Sequence, residues 1–259
     1  MGRVSALPGV RVEHHPSLRA LYLWMRSSGP KAGPFSDAKV RRAVSLAIDR
    51  DVLAARFAAG NSPLWGFVPT VVYGAVPGPG LAADPALARR LLAEAGHADG
   101  VESRLTHAPG GDHLAAAVGE MLAPVGIRAT PELVEWPVMR DRWQAGELSM
   151  FLGSWRFDSN EASLFLRECI HTHDRRADKS WNPGFSSPRL DRMIEDNFRL
   201  FGDTTRMAHF GKLWEAMTDE MPVVPLLERL DLYAVRSRIR WTPRGDGSIR
   251  VAEMTVAGR

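Results

Sequence analysis

Residues Val101–Gly153, VESRLTHAPGGDHLAAAVGEMLAPVGIRATPELVEWPVMRDRWQAGELSMFLG, carry the pattern that decides the fold. Val101 to Thr106 predicts a strand. Asp112 stands as the cap of a helix through Leu114, Val118, Met121 and Leu122, which Pro124 and Gly126 stop. Ile127 to Val134 reads as a second strand, Val138 to Ala145 as a short helix, and Ser149 to Gly153 as a buried strand. Alternating strands and helices are the pattern of an α/β fold.

Upstream, Val4 to Met25 alternates loosely around Pro8-Gly9 and Pro16, which predicts two strands and a turn. From Ser36 the period becomes helical, with Val40, Ala43, Val44, Ala47 and Ile48 on one face and Ser36 or Asp37 as the cap. Asp49 predicts a fresh cap for a helix from Arg50 to Ala59, closed by Gly60. Asn61 to Ala83 reads as a long loop packed by its own apolar side chains. Asp84-Pro85 opens the next helix, whose stripe is Leu87, Leu91 and Leu92 and whose end is Gly96.

Downstream, Ser187-Pro188 opens a helix carrying Leu190, Met193, Ile194, Asn197 and Phe201. Asp203 is read as the cap of another, with Met207, Phe210, Leu213, Trp214, Met217 and Met221 at core spacing and Pro222 as its stop. Strands return at Val223–Leu227, Leu230–Val235, Ile239–Trp241 and Ile249–Val256.

A chain of 259 residues with 45% hydrophobic and 24% charged residues can bury a large core, as one large domain or two small ones. The formal charge of +3 is carried by isolated basic pairs among acids, which argues against a nucleic-acid partner. No window is long and apolar enough to span a membrane, and Met1 to Ala20 lacks the pattern of a secretory signal. The single Cys169 excludes an internal disulfide and reads as a small packing residue.

Enzyme signatures are absent: no nucleophile elbow, no Gly-rich dinucleotide turn, no phosphate loop, no paired-His zinc helix. His171, His173 and Asp174 have metal-ligand spacing, but Arg175 and Arg176 beside them repel a cation, and no metal or cofactor is expected. The sharper signal is Trp155-Arg156-Phe157-Asp158 just past a strand, with Asn182-Pro183-Gly184-Phe185 beyond it. An indole offers a broad apolar wall, and a carboxylate three residues on can neutralise an ammonium. The plainer alternative makes Trp155 core and Asp158 the cap of a helix near Glu161. Either way the chemistry is that of binding, and Trp155, Asp158, Arg156 and Asn182 are the candidate ligand residues.

Several motifs in this order resemble the family 5 extracellular solute-binding proteins, which deliver peptides, nickel chelates or related solutes to ABC importers. They are Pro34-Phe35-Ser36-Asp37 with Val40-Arg41-Arg42-Ala43 and Ala47-Ile48-Asp49-Arg50, Asp84-Pro85 through Gly96, Gly153 to Leu166, Phe185-Ser186-Ser187-Pro188, and Val224-Pro225-Leu226. The resemblance implies the C-terminal lobe of a type II, cluster C periplasmic-binding-protein-like fold, a mixed sheet flanked by helices. Residues 21–238 would form that lobe, and 1–20 and 239–259 would be strands of the hinge and of an N-terminal lobe outside this chain. It implies that an Asp placed as Asp158 holds a peptide's α-ammonium beside Trp155. It further implies an oligopeptide or related small solute as ligand, ABC permease subunits and the N-terminal half as partners, and an extracytoplasmic location for the full-length protein. A ligand-sensing module of the same fold tied to a transcription regulator, or a non-functional gene fragment, is the alternative.

Overall fold

A computed structural model describes residues 7–29, 31–57, 60–76, 82–172, 181–182 and 184–257. In chain order its regular elements are β1 (Val10–Met25), α1 (Ala38–Ala47), α2 (Arg50–Arg56), β2 (Asn61–Pro63), α3 (Pro85–Glu94), β3 (Val101–His107), α4 (Asp112–Leu122), β4 (Ile127–Leu133), α5 (Trp136–Gln144), β5 (Met150–Arg156), α6 (Ala162–Phe165), α7 (Pro188–Asn197), α8 (Asp203–Glu220), β6 (Val223–Arg236), β7 (Ile239–Arg240) and β8 (Thr255–Val256).

The expected α/β class holds, as a six-stranded mixed sheet in the order β2-β6-β1-β5-β3-β4. β1 lies antiparallel between β5 and β6, whereas β3 runs parallel to both β4 and β5. Helix α4 packs on β3 and β4, α1 packs on α3 and α8, and α7 packs on α8. β7 and β8 pair as a separate two-stranded ribbon. Among the described residues no helix is long and apolar enough to cross a membrane.

Local chemistry explains most helix starts. The carboxylates of Asp37, Asp49 and Asp84 accept from the N–H groups of Lys39, Val52 and Leu87, and Ser187 Oγ accepts from Leu190 N–H. Each such cap contributes about 1 kcal/mol. Asp112 and Asp203 are not caps. Gly111 and Gly202 hold those positions, and both acids stand in the first turn, where the helix dipole favours them.

Other expectations change, beginning with Asn61–Pro63, expected as loop, which pairs with β6 as β2. Pro8-Gly9 does form a turn, with Val10 N–H donating to Leu7 O at 3.2 Å, but Val10–Met25 is one strand with no turn at Pro16, where its register against β6 slips between Pro16 and Ala20 and a residue without an N–H is tolerated. Its partner β6 is likewise continuous through Glu228 and Arg229. The expected strand at 249–256 is a 3-10 turn at Val251–Glu253 followed by β8 alone.

The main core is built on the inner halves of β1 and β6 and ends near Leu18 and Leu227. Beyond it the outer half of β1 and the Leu230–Tyr233 stretch of β6 are half-exposed as a paired ribbon, where Tyr233 packs edge-on against Trp241 at 4.9 Å. Two buried arginines tie the helices together, Arg50 to the sheet and Arg41 to the turn before α1 and the end of α8. Arg50 donates to the carbonyls of Pro225 (2.8 Å), Ile48 and Ser45, and Arg41 to those of Phe35 (2.8 Å), Ser36 and Met221. Burial lowers both guanidinium pKa values to about 10, so both remain charged at neutral pH.

Candidate functional site

β5 does not stop at Gly153. It runs to Arg156, which places Trp155 and Arg156 on opposite faces of the sheet. Trp155 sits opposite Ala20 and faces an aromatic layer, with ring centroids 6.1 Å from Phe165 and 6.5 Å from Trp181. That layer continues to Trp143, 5.3 Å from Trp181, and to Trp24, 5.9 Å from Trp143. Trp155 is half-buried, and among the described residues its indole N–H has no acceptor. A buried donor left unpaired costs about 1–3 kcal/mol.

The turn that follows presents Asp158 to solvent. Phe157 N–H donates to Leu18 O at 2.7 Å, and the Phe157 ring is buried 5.4 Å from Phe165. Asn160, at φ 53°, closes the turn by donating its N–H to Phe157 O at 2.8 Å. The Asp158 side chain is left 72% exposed and paired with Arg156 Nε at 2.7 Å. Helix α6 begins at Ala162 with Glu161 as its cap residue, and the Glu161 carboxylate binds Ser163 Oγ and Arg206. The capping alternative for Asp158 therefore falls.

Arg156 also donates from Nη2 to Asp246 O at 2.7 Å, and it lines a cavity of about 320 Å³ at the base of the β1–β6 ribbon. Asn182 is buried, and both ends of its amide serve the backbone. Nδ2 donates to Ile170, His171 and Phe185 carbonyls, and Oδ1 accepts from Gly184 and Phe185 N–H groups at 2.8 and 2.6 Å. A small cavity of about 150 Å³ lies beside it, bordered by Thr172 and Phe185. The larger cavity, about 800 Å³, lies toward the other end of β5 against β3 and β4. Its charges are already paired, Arg104 with Glu132 and Arg128 with Glu102 at 2.8 Å each, so size alone does not mark the site.

Among the described residues no group of three or more His, Cys, Asp or Glu is placed to hold a metal. His171 Nδ1 lies 2.8 Å from Thr172 O, and Nε2 lies 3.2 Å from Glu195 Oε1. His173, Asp174, Arg175 and Arg176 lie outside the described residues.

The family described as bacterial extracellular solute-binding proteins, family 5 Middle, matches residues 2–175. The chain belongs to that family. Among curated relatives, the periplasmic murein peptide-binding protein MppA of Escherichia coli is 26% identical over 208 residues, covering 76% of this chain and 38% of the relative. The periplasmic oligopeptide-binding protein OppA of Salmonella typhimurium is 28% identical over 211 residues, covering 74% of this chain and 37% of the relative. The fold is shared with the periplasmic binding protein DppA from Helicobacter pylori, solved in complex with the peptide STSA. That comparison gives a TM-score of 0.85 at 20% identity, over 99% of this chain and 51% of that one. The chain thus spans about half the length, or less, of the proteins it matches.

Within this family 5 chain, the expected residues divide by geometry. Trp155, Arg156 and Asp158 share the end of β5, whereas Asn182 lies apart from them with its amide bonded to the backbone of its own loop. Sequence reasoning missed Arg19 and Arg229, which line the 320 Å³ cavity with Arg156. They belong to no local motif, and only strand pairing brings residues so far apart in the chain together. It also missed the π-helical turn Leu166–Ile170 that extends α6, a feature frequent at functional sites.

Proposed function

We propose that this chain is one lobe of a two-lobed solute receptor serving an ABC importer, and that the end of β5 meets the solute. The observation that carries the reading is Asp158, an exposed carboxylate held at the crest of a pinned turn and paired, among the described residues, with Arg156 alone. It stands three residues after an indole whose N–H has no acceptor among the described residues. Such a carboxylate can exchange its arginine for a ligand ammonium, and the exchange gains strength as water leaves the cleft.

A peptide-like solute is favoured by the names of the relatives, a murein peptide-binding and an oligopeptide-binding protein. Trp155 forms the apolar wall, Arg156 orients Asp158, and Asn182 shapes the neighbouring loop. Residues 21–238 constitute the lobe, and 1–20 with 239–259 belong to the hinge and the opposing lobe. Support for the first boundary comes from the core ending near Leu18 while β1 continues outward as a ribbon with β6. Closure of the two lobes over the solute is then the event a membrane permease reads, in an extracytoplasmic setting.

The test is a titration of the 259-residue chain with tri-alanine and with N-acetyl-tri-alanine, following the Trp155 indole N–H resonance. A weak, saturable shift that is larger for the free amine supports the reading. No shift with either peptide counts against it.

A further inference from the structure

We propose that the cavity beside Arg156 receives a carboxylate, so that the solute carries an acid group close to its free amine. This names the solute class and rests on Asp158 as the ammonium partner.

Arg19 on β1 and Arg156 on β5 are direct cross-strand partners. Arg229 stands on β6 beside the register slip that interrupts the β1–β6 ladder between Pro16 and Ala20. All three line one cavity of about 320 Å³, together with Asp231, Tyr233 and Asp246. Like charges directly opposite each other on adjacent strands repel, and departures of this kind concentrate at functional sites.

The acids nearby cancel the charge only in part. Asp246 spends Oδ1 on the Ser248 N–H (2.9 Å) and hydroxyl (2.7 Å), and Oδ2 faces Arg244 Nε at 3.3 Å. What it offers Arg156 is a backbone carbonyl. Asp158 occupies the Nε edge of Arg156. Among the described residues, the side chains of Arg19 and Arg229 have neither an ion pair nor a hydrogen bond, and of the two aspartates that line the cavity Asp246 is spent on Arg244 and Ser248, which leaves Asp231 to offset part of the charge of Arg19 and Arg229. Guanidinium forks match a carboxylate in shape and charge, and the volume is at the small end of ligand cavities, enough for an acid group and a few carbons. The Arg156–Asp158 pair joins this cavity to the ammonium site, so one zwitterionic end of a solute engages both.

Succinate, a carboxylate without an amine, is the probe. In the 259-residue chain the Nε–Hε resonances of Arg19 and Arg229 are expected to shift saturably with succinate. Arg19→Gln or Arg229→Gln weakens this binding by about 10-fold, the worth of one charged hydrogen bond. Arg104→Gln, in the larger cavity, leaves it unchanged. Arg19→Lys retains charge and keeps part of the affinity, which separates loss of the site from loss of the fold. Asp158→Asn frees the Nε edge of Arg156 and is expected to tighten succinate binding while it removes the free-amine preference for tri-alanine, so failure of the ammonium reading and failure of this one are distinguishable. Shifts that stay linear in succinate, or equal affinity in Arg19→Gln and the unaltered chain, overturn the proposal.

Discussion

Arg156 Nε lies 2.7 Å from Asp158 Oδ1, with side chains 47% and 72% exposed. Water screens a pair this open, so its worth to the fold is below about 1 kcal/mol. Arg156→Gln is therefore expected to change unfolding free energy by less than about 1 kcal/mol in urea titration. A larger loss would mean that the pair holds the fold and is not available for exchange with a ligand.

Gly153 marks where the aromatic layer meets the sheet. A Cβ added there would stand 2.9 Å from Trp24 Nε1 and 3.0 Å from its Cδ1, and Trp24 is 1% exposed. Gly153→Ala must displace that ring and is expected to cost about 1–3 kcal/mol, read by chemical denaturation. A neutral result would show that the Trp24 ring moves freely.

Glu228 is buried, with Thr70 Oγ1 donating to its carboxylate at 3.0 Å. Burial raises its pKa above the usual glutamate value, and the Thr70 hydrogen bonds pull it partly back. Between the unfolded and folded titration points the native state keeps a proton that the unfolded state has lost. Stability from this group is thus fullest below the ordinary glutamate pKa and declines as pH rises through the folded one. Glu228→Gln is expected to flatten that decline and to raise stability at pH 7, measured as denaturation midpoint against pH. An unchanged slope would contradict the assignment.

Cys169 is 1% exposed, and burial, with the Glu168 charge adding, pushes its thiol well above the normal cysteine range. The thiolate is the reactive form, so native Cys169 is expected to resist iodoacetamide and to react only on unfolding. Fast labelling in native buffer would show that the layer around it opens locally.

Much of the fold was legible in the sequence because the signals are local. Asp37, Asp49, Asp84 and Ser187 act at their own helix starts, and the β3-α4-β4-α5-β5 block follows its hydrophobic periods. What escaped depended on partners distant in the chain. Pro16 reads as a turn until β6 is seen beside it, and Ile249–Val256 alternates like a strand although only Thr255–Val256 finds a partner. At the site, the Trp155–Asp158 spacing pointed to the end of β5, but not to the strand running on to Arg156, which sets the two faces. Arg19 and Arg229 carry no motif at all, since their meaning lies in the register between strands.

Asp158 as a reader of free amines is the claim on which the proposed function turns. Its direct measurement is the affinity of tri-alanine and N-acetyl-tri-alanine for the unaltered chain and for Asp158→Asn, by the shift of the Trp155 indole resonance. The free amine is predicted to bind the unaltered chain about 10-fold more tightly than its acetylated form does, an advantage that vanishes in Asp158→Asn. The same advantage in both chains, or equal losses for both peptides in Asp158→Asn, would contradict it.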